Sequence, residues 1–169
     1  MKLVLRPERP GDAATLTQLH RAAFGSDDEP RIVEELRRSG DLLAGLSLLA
    51  ELDGRIVGHV AISRGRIDDR AAAALGPVGV LPEHQRAGVG AALMREAIAR
   101  ARAAGEDVIV LVGHPWYYPR FGFVRASRLG IEPPFDVADD VFMALELRPG
   151  GAAGGGRFTY PPAFDPPVH

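Results

Sequence analysis

Cysteine is absent from this chain of 169 residues, and no long apolar run is present. Without cysteine there can be no disulfide, no thiolate nucleophile and no cysteine-ligated metal. No apolar stretch approaches the roughly 18 residues that a membrane-spanning helix requires, and the run Leu3-Val4-Leu5 is too short for a secretory signal. The formal net charge of -2 gives no reason to expect a nucleic acid or a membrane surface as a partner. We therefore expect a cytoplasmic protein.

Two missing sequence patterns narrow the chemistry further. The chain contains no Gly-x-Ser-x-Gly sequence, which disfavours a serine hydrolase. Its five histidines do not have metal-ligand spacing, so no metal site is expected. The hydrophobic fraction of 46% and the charged fraction of 25% are those of an ordinary globular protein, and the length suits one domain.

The C-terminal end differs in composition from the rest of the chain. Ten of the 21 residues 149–169 are glycine or proline, so the sequence predicts one domain over residues 1–148 followed by a tail. Such a composition is typical of disorder. Phe158, Tyr160 and Phe164 are poor choices for a free tail, however, and they favour docking of this segment on the domain.

Apolar alternation and turn residues predict an α/β chain with about seven strands and about four helices. Asp53-Gly54 between two apolar runs is a strong signal for a two-residue hairpin. Residues 64–74 are polar and then alanine-rich, and we interpret them as a loop. The predicted strands cover residues 2–6, 46–52, 55–63, 75–81, 107–112, 122–125 and 141–147. The predicted helices cover residues 12–24, 29–38 and 91–104, with a short turn or helix at 114–120.

The chain is organised around residues 75–104, which are typical of a strand, a glycine-bearing turn and a long helix. The apolar run at residues 107–112 indicates a strand buried on both faces, so this unit predicts a parallel strand pair joined by the helix. A helix N-terminus carries free amides and a partial positive charge. Gly88 and Gly90 leave room for a ligand and Arg86 adds a charge, so the turn suits a phosphate or diphosphate. An ordinary tight turn would also need small residues here, and neither GxxxxGK[ST] nor GxGxxG is matched.

The turn QRAGVG, residues 85–90, resembles the Q/R-x-x-G-x-G/A signature of the GCN5-related N-acetyltransferases, the GNAT superfamily. The later sequence YPRFGF, residues 118–123, is similar to the Tyr-x-x-x-Gly-Phe step of that family. The resemblance covers about residues 3–147, and LGPVGVLPEHQRAGVG and GHPWYYPRFGF are most similar to a YhbS-like branch of predicted acetyltransferases. It implies the GNAT fold, an α+β architecture with a mixed central sheet.

The resemblance also implies an activity, namely direct transfer of an acetyl group from acetyl-CoA to a primary amine of a small molecule or peptide. The N–H of Val80 would stabilise the oxyanion, if Gly79 marks a bulge that turns this amide out of the strand ladder. Tight packing is the other interpretation of Gly79. The residues implied to contact the cofactor are Val78, Gly79, Val80, Gln85, Arg86, Ala87, Gly88, Val89, Gly90 and Ala91.

The implied reaction also needs groups that transfer protons. Tyr118 matches the tyrosine of the family and would protonate the leaving thiolate, with Tyr117 as the alternative one residue away. His114 is a candidate for deprotonating the amine, because histidine titrates near neutral pH. The alternatives are water alone, His59, Glu51 and Glu83. The asparagine common after the second parallel strand is missing, which leaves a non-catalytic acyl-CoA-binding or regulatory module as the alternative function.

The acceptor amine has no clear signal in the sequence. In the family the first two helices form a wall of the acceptor site, and three acids stand at their junction. Asp27, Asp28 and Glu29 would attract a cationic amine there, although acids at a helix N-terminus are also favourable in themselves. We expect a monomer or a homodimer.

Overall fold

The structure of the protein, a computed structural model, describes residues 2–165. Met1 and the last four residues of the predicted tail lie outside the described residues. The described part contains three α-helices: α1 (Ala13–Phe24), α2 (Asp28–Ser39) and α3 (Val89–Ala103). About four helices were expected, and the short element predicted at residues 114–120 is a 3-10 turn, Tyr118–Phe121. Pro115 and Pro119 have no amide to donate, which prevents a regular helix there.

Within residues 2–165, nine strands pair into one sheet whose main path runs β1-β2-β3-β4-β5-β8-β6. Strand β9 pairs with the end of β3 and with β7. The strands are β1 (Leu3–Pro7), β2 (Leu48–Leu52), β3 (Arg55–Ile67), β4 (Arg70–Val80), β5 (Val108–Val112), β6 (Val124–Arg125), β7 (Ile131–Glu132), β8 (Phe142–Glu146) and β9 (Gly156–Thr159). Strands β4 and β5 are parallel and are joined by α3, so the predicted mixed sheet with a helix-linked parallel pair is confirmed.

The prediction of a loop at residues 64–74 is wrong. Strand β3 continues to Ile67 and β4 begins at Arg70, so the two strands form one long hairpin that turns at Asp68 and Asp69. Alanine has a low intrinsic strand preference, which is why the alanine run gave no strand signal. Ala72, Ala73 and Ala74 are nevertheless fully buried. Packing against both faces of the sheet therefore decides the conformation of this stretch.

Each face of the sheet is covered by different elements. Helix α3 packs on one face, where Leu93, Met94 and Ala97 join the buried side chains of β2, β3 and β5. Helix α1 packs on the opposite face of β3 and β4. A Cβ at Gly79 would lie 3.0 Å from Nδ1 of His20 on α1, so glycine permits the close approach of this helix. Further along the same face, a second buried cluster joins β5 and β8 to Phe158 of β9.

The parallel pairing of β4 and β5 is short, and the two strands then separate. Strands β4 and β5 pair only at Ala73–Ile109 and Ala74–Val110. Beyond this point the register of β4 against β3 shifts by one residue, because Gly76 and Pro77 on β4 stand opposite the single residue Ala61 on β3. The irregularity predicted at Gly79 therefore lies three residues earlier, since Gly79 itself pairs regularly with His59. Pro77 has no N–H for a ladder, which suits it to the place where β4 leaves its neighbour.

Residues 149–165 pack against the hairpin of β3 and β4. Arg70 donates hydrogen bonds to the carbonyl oxygens of Ala153 (2.9 Å) and Gly155 (2.6 Å). The Arg157 amide donates to Oδ1 of Asp68 at 3.0 Å. The Phe158 ring is fully buried, 2.7 Å from the place that a Cβ on Gly65 would occupy.

Replacement of Phe158 by alanine tests how strongly this segment stabilises the fold. We expect Phe158→Ala to lower the free energy of unfolding by about 3–5 kcal/mol, because a fully buried aromatic side chain is lost from a packed core. Urea denaturation followed by circular dichroism measures this. Trp116→Ala is the control, since that ring is 71% exposed and its loss should change stability by only about 0.5 kcal/mol. Equal losses in the two variants would contradict the assigned packing.

Candidate active site

The parting of β4 from β5 opens two cavities, one on each side of the gap. The larger has a volume of about 600 Å³ and extends along β4 to the N-terminus of α3, and we call it the α3 cleft. The smaller, of about 380 Å³, lies towards α1, α2 and the C-terminal segment, and we call it the aromatic cavity. Val78, His114 and Tyr118 line both. A reacting group placed at these three residues would be reached from either side.

The α3 cleft ends at the exposed N-terminus of its helix. Gly88 is the N-cap residue with φ 88°, and no side chain in the described part of the chain caps the first turn. Arg86 has φ 63°, a left-handed conformation that is uncommon for a residue with a side chain. Successive amides in such a turn point outwards together and form a concave site for an anion. The amides at the start of α3 are therefore available to a ligand.

The side chains around the α3 cleft favour a negatively charged ligand. Arg86 and Arg120 are at its edge together with two histidines, and no acid among the described residues lines it. Arg120 is held in place, because its Nε donates to the Tyr117 carbonyl at 2.9 Å and its guanidinium lies 4.4 Å from the centre of the Tyr117 ring. Together with the helix dipole, these charges match a diphosphate.

Backbone groups of β4 face into the gap. Leu81 N–H donates to Val57 C=O at 2.9 Å, and hydrogen-bonded pairs alternate with non-bonded pairs along an antiparallel ladder. The N–H and C=O groups of Val78 and Val80 therefore point away from β3, towards the space that β5 has left. The Gln85 side-chain amide donates to the Val80 carbonyl at 2.9 Å, which fixes the turn before α3 to the end of β4.

Seven of the ten residues expected at the cofactor line the α3 cleft: Val78, Val80, Gln85, Arg86, Gly88, Gly90 and Ala91. The other three do not. Gly79 belongs to a pair in the ladder with β3 and lies against α1. The Val89 side chain is buried in the core beneath α3, and Ala87 is exposed outside the cleft.

Tyr118 stands where the two cavities meet. Its ring packs against Gly113, where a Cβ would overlap the ring, and against Phe123 at a centroid distance of 6.1 Å. Burial, and to a smaller extent the nearby Tyr117, raises the pKa of Tyr118 above its usual value, so the phenol is protonated at neutral pH. Tyr117, the alternative from the sequence, lines only the α3 cleft of these two cavities.

Of the residues considered as the base, only His114 lies at the gap. It is exposed, lines both cavities and stacks on Trp116 at 5.1 Å. Glu51 is 2.8 Å from the Arg6 guanidinium, and Glu83 is 3.2 Å from Arg55 on the surface. His59 is fully buried away from either cavity.

Several residues of the site were missed by sequence reasoning. His84, Trp116 and Arg120 line the α3 cleft. They lie within the segments quoted for the family resemblance, but those segments assign them no role. The aromatic cavity is built from residues far apart in the sequence: Phe24, Ile32, Phe135, Tyr160 and Phe164. The only available signal was the presence of large aromatic residues in the glycine- and proline-rich segment.

The arrangement of cleft, helix and gap matches a known family. The model of the acetyltransferase (GNAT) family fits residues 13–123, about two thirds of the chain. The chain belongs to the GNAT family. The resemblance noted in the sequence is thereby confirmed, and the protein is an acyltransferase by its family.

Individual GNAT relatives extend this match to nearly the whole chain. The Escherichia coli K12 protein named uncharacterized N-acetyltransferase YjhQ is 34% identical over 134 residues, 76% of this chain and 74% of YjhQ. The crystal structure of E. coli YhbS in complex with CoA superposes with a TM-score of 0.91 at 26% identity, covering 97% of this chain and 92% of YhbS. A GNAT acetyltransferase of Brucella melitensis in complex with acetyl-CoA has a TM-score of 0.82 at 36% identity, covering 97% and 99%.

Two further findings concern the described residues of this GNAT chain. No helix among them is both long and apolar enough to cross a membrane. They also contain no group of three or more His, Cys, Asp or Glu side chains placed to hold a metal ion.

A buried polar network lies beneath β4 in this GNAT domain. His59 Nε2 lies 2.7 Å from Oε1 of Glu8, and His59 Nδ1 lies 2.8 Å from Nε2 of His20. Arg37 donates to the same Glu8 carboxylate at 2.9 Å. Burial raises the pKa of Glu8, but the hydrogen bonds from His59 and Arg37 outweigh it and hold that pKa below its usual value.

His20 lies at the end of this network and is joined to it through one ring nitrogen, which bonds to His59. Burial, followed by the charges of His59 and Arg37, lowers the pKa of His20 to about 3. Nδ1 of its ring has no hydrogen-bond partner within the described residues. His20 is therefore neutral in the folded protein at every pH at which the protein is normally handled.

The pH dependence of stability should report on His20. Between about pH 6.5 and pH 3 the unfolded state binds a proton on His20 that the folded state does not, so stability falls as the pH is lowered through this range. At about 1.4 kcal/mol per pH unit, His20 accounts for a loss of about 2 kcal/mol between pH 7 and pH 5. Urea denaturation at the two pH values measures it. His20→Gln is the matched variant, and an unchanged pH dependence in that variant would rule out the assignment.

Proposed function

We propose that this protein transfers the acetyl group of acetyl-CoA directly to a primary amine. The observation that carries the proposal is the uncapped N-terminus of α3, which opens into a basic cleft that leads to the gap between β4 and β5. The helix end would bind the diphosphate, and Val78 and Val80 line the same cleft, where the extended arm would lie. The complexes of YhbS with CoA and of the Brucella enzyme with acetyl-CoA support the same ligand for this chain.

The pantetheine arm contains amides, and β4 offers it unpaired backbone groups. An extended ligand adds to an exposed strand edge through main-chain hydrogen bonds. The outward groups of Val78 serve this purpose in our proposal. The Val80 carbonyl is already bonded to Gln85, so its N–H is the remaining donor and would bind the oxygen of the thioester. A fixed amide donor at this oxygen stabilises the negative charge that develops in the transition state.

The chemical step needs one acid and one base. The neutral amine attacks the thioester carbon, a C–N bond forms, and the C–S bond breaks as the tetrahedral intermediate collapses. The Tyr118 hydroxyl gives its proton to the leaving sulfur and recovers one from solvent. The amine loses its proton to His114 or to water, and CoA and an N-acetylated amine are released.

Binding of the cofactor can be tested without knowledge of the acceptor. A Cβ on Gly90 would lie 3.6 Å from Oη of Tyr117 and 3.8 Å from Cγ2 of Val80, across the α3 cleft. We expect Gly90→Ala to weaken CoA binding about tenfold in calorimetry. Stability should be unchanged or higher, because alanine is favoured over glycine in a helix. Gly45→Ala, in open space, should bind CoA normally. Absence of binding by the wild type at millimolar CoA would refute the proposal.

Turnover separates an enzyme from a binding module. Tyr118→Phe should lower kcat on any accepted amine by about a hundredfold or more while the Kd for CoA stays constant, because only the proton donor is removed. Tyr117→Phe is the control and should retain most of the activity. Release of the CoA thiol from acetyl-CoA, measured with a panel of amines, provides the assay. Tight CoA binding without turnover of any amine would favour the non-catalytic module.

A further inference from the structure

The aromatic cavity is the side of the gap from which an acceptor would arrive. It shares Val78, His114 and Tyr118 with the α3 cleft. The rest of its wall comes from α1, α2, the adjoining ends of β4 and β5, the loop that carries Phe135 and the C-terminal segment. An amine bound there would face an acetyl group held at Val80 from the α3 cleft. The chemistry of the cavity wall therefore bears on the choice of acceptor, given the function proposed above.

Most of this wall is apolar. Phe24, Phe135 and Phe164 line it together with Ile32 and Val112. Of these, Phe24, Phe135 and Val112 are substantially exposed, at 41%, 51% and 41% of their surface. Exposed large apolar side chains grouped around one cavity indicate an apolar ligand. Each methylene group that a ligand buries against such a wall raises the affinity of the ligand about fourfold.

One acid stands in this wall. Glu29, in the first turn of α2, is the only acidic residue among the described residues that line the cavity, and no arginine or lysine among them lines it. Its Oε1 is buried and has no hydrogen-bond partner within the described part of the chain. Because Glu29 lines the cavity, an ammonium group that enters the cavity can form an ion pair with its carboxylate. Asp27 and Asp28 do not line the cavity, and Asp27 is 2.8 Å from Arg21 on the surface.

The C-terminal segment closes the cavity. Tyr160 follows β9 and packs on Phe158, Phe164 and Phe135 at centroid distances of 4.8, 4.7 and 6.0 Å. The turn Pro162–Phe164 contacts α2, the helix that carries Glu29. Burial raises the pKa of Tyr160, so it contributes a neutral phenol to the wall. The size of the space beside Glu29 is therefore limited by rigid aromatic rings.

We propose that the acceptor is a small primary amine carried on an apolar group of about aromatic size, with no carboxylate next to the amine. Its ammonium group pairs with Glu29 on entry, and its apolar group packs against Phe24, Phe135 and Phe164. An amino acid or an acidic peptide is disfavoured, because its carboxylate would lie near Glu29 with no arginine or lysine to bind it. A short hydroxylated amine is disfavoured, because it would leave the apolar wall uncovered.

Three amines that differ in their apolar group and in a neighbouring carboxylate are suitable probes, namely phenethylamine, phenylalanine and ethanolamine. Phenylalanine adds a carboxylate to phenethylamine, and ethanolamine lacks the apolar group. Each is titrated calorimetrically into the protein, alone and with saturating CoA, so that binding is read without any need for turnover. We expect phenethylamine to bind at least about tenfold more tightly than either of the others.

Variants of the cavity wall identify the groups responsible. Glu29→Gln should weaken phenethylamine about tenfold or more, whereas Asp28→Asn removes a charge from the neighbouring residue outside the cavity and should have no effect. Phe135→Ala should weaken phenethylamine but not ethanolamine. The Kd for CoA should be unchanged in all three variants, because none of these residues lines the α3 cleft.

The proposal is overturned if ethanolamine or phenylalanine binds as tightly as phenethylamine, or if Glu29→Gln behaves like Asp28→Asn. Release of the CoA thiol is followed in parallel with each amine and acetyl-CoA. A retained preference for phenethylamine without turnover would refute acetyl transfer while supporting the assigned cavity. Turnover with a preference for ethanolamine would refute the assigned acceptor while supporting acetyl transfer.

Discussion

The early parting of β4 from β5 is the constraint on which the rest of this structure depends. Two residue pairs join these parallel strands, and the irregularity at Gly76 and Pro77 then carries β4 away. Backbone groups of a buried strand normally find a partner in the sheet. Here the outward groups of Val78 and Val80 lose that partner and must bond to a side chain, to water or to a ligand. The sheet thereby creates a row of hydrogen-bonding groups in the middle of the molecule.

Charge is distributed unequally on the two sides of this gap. The α3 cleft carries Arg86, Arg120 and the positive end of a helix, whereas the aromatic cavity carries Glu29 among apolar side chains. In the acetyl transfer proposed above, opposite charges so placed would draw an anionic donor and a cationic acceptor to different sides. They meet only at the residues common to both cavities, among which Tyr118 supplies a protonated phenol. Under that proposal, the positions of these fixed charges are enough to bring the two substrates in from opposite sides.

Local signals in the sequence predicted the centre of this arrangement. The glycines before an amphipathic run predicted the start of α3 to within two residues. The apolar run after that helix predicted β5. The strand formed by residues 71–74 was missed, because alanine has little preference of its own and burial decides its conformation. The position of the irregularity in β4 depends on its register with β3, which no local pattern contains. The aromatic cavity was missed for a similar reason, since its residues are brought together only by the complete fold.

The last strand of the chain has a consequence for how such proteins diversify. The segment that follows β9 supplies Tyr160 and Phe164 to the aromatic cavity and no residue to the α3 cleft. Under the proposed function, substitutions or length changes in this short segment would therefore alter the acceptor cavity and leave the α3 cleft unchanged. Under the proposed function, two chains that share the QRAGVG turn can differ in substrate preference through changes confined to the short segment that carries Tyr160 and Phe164.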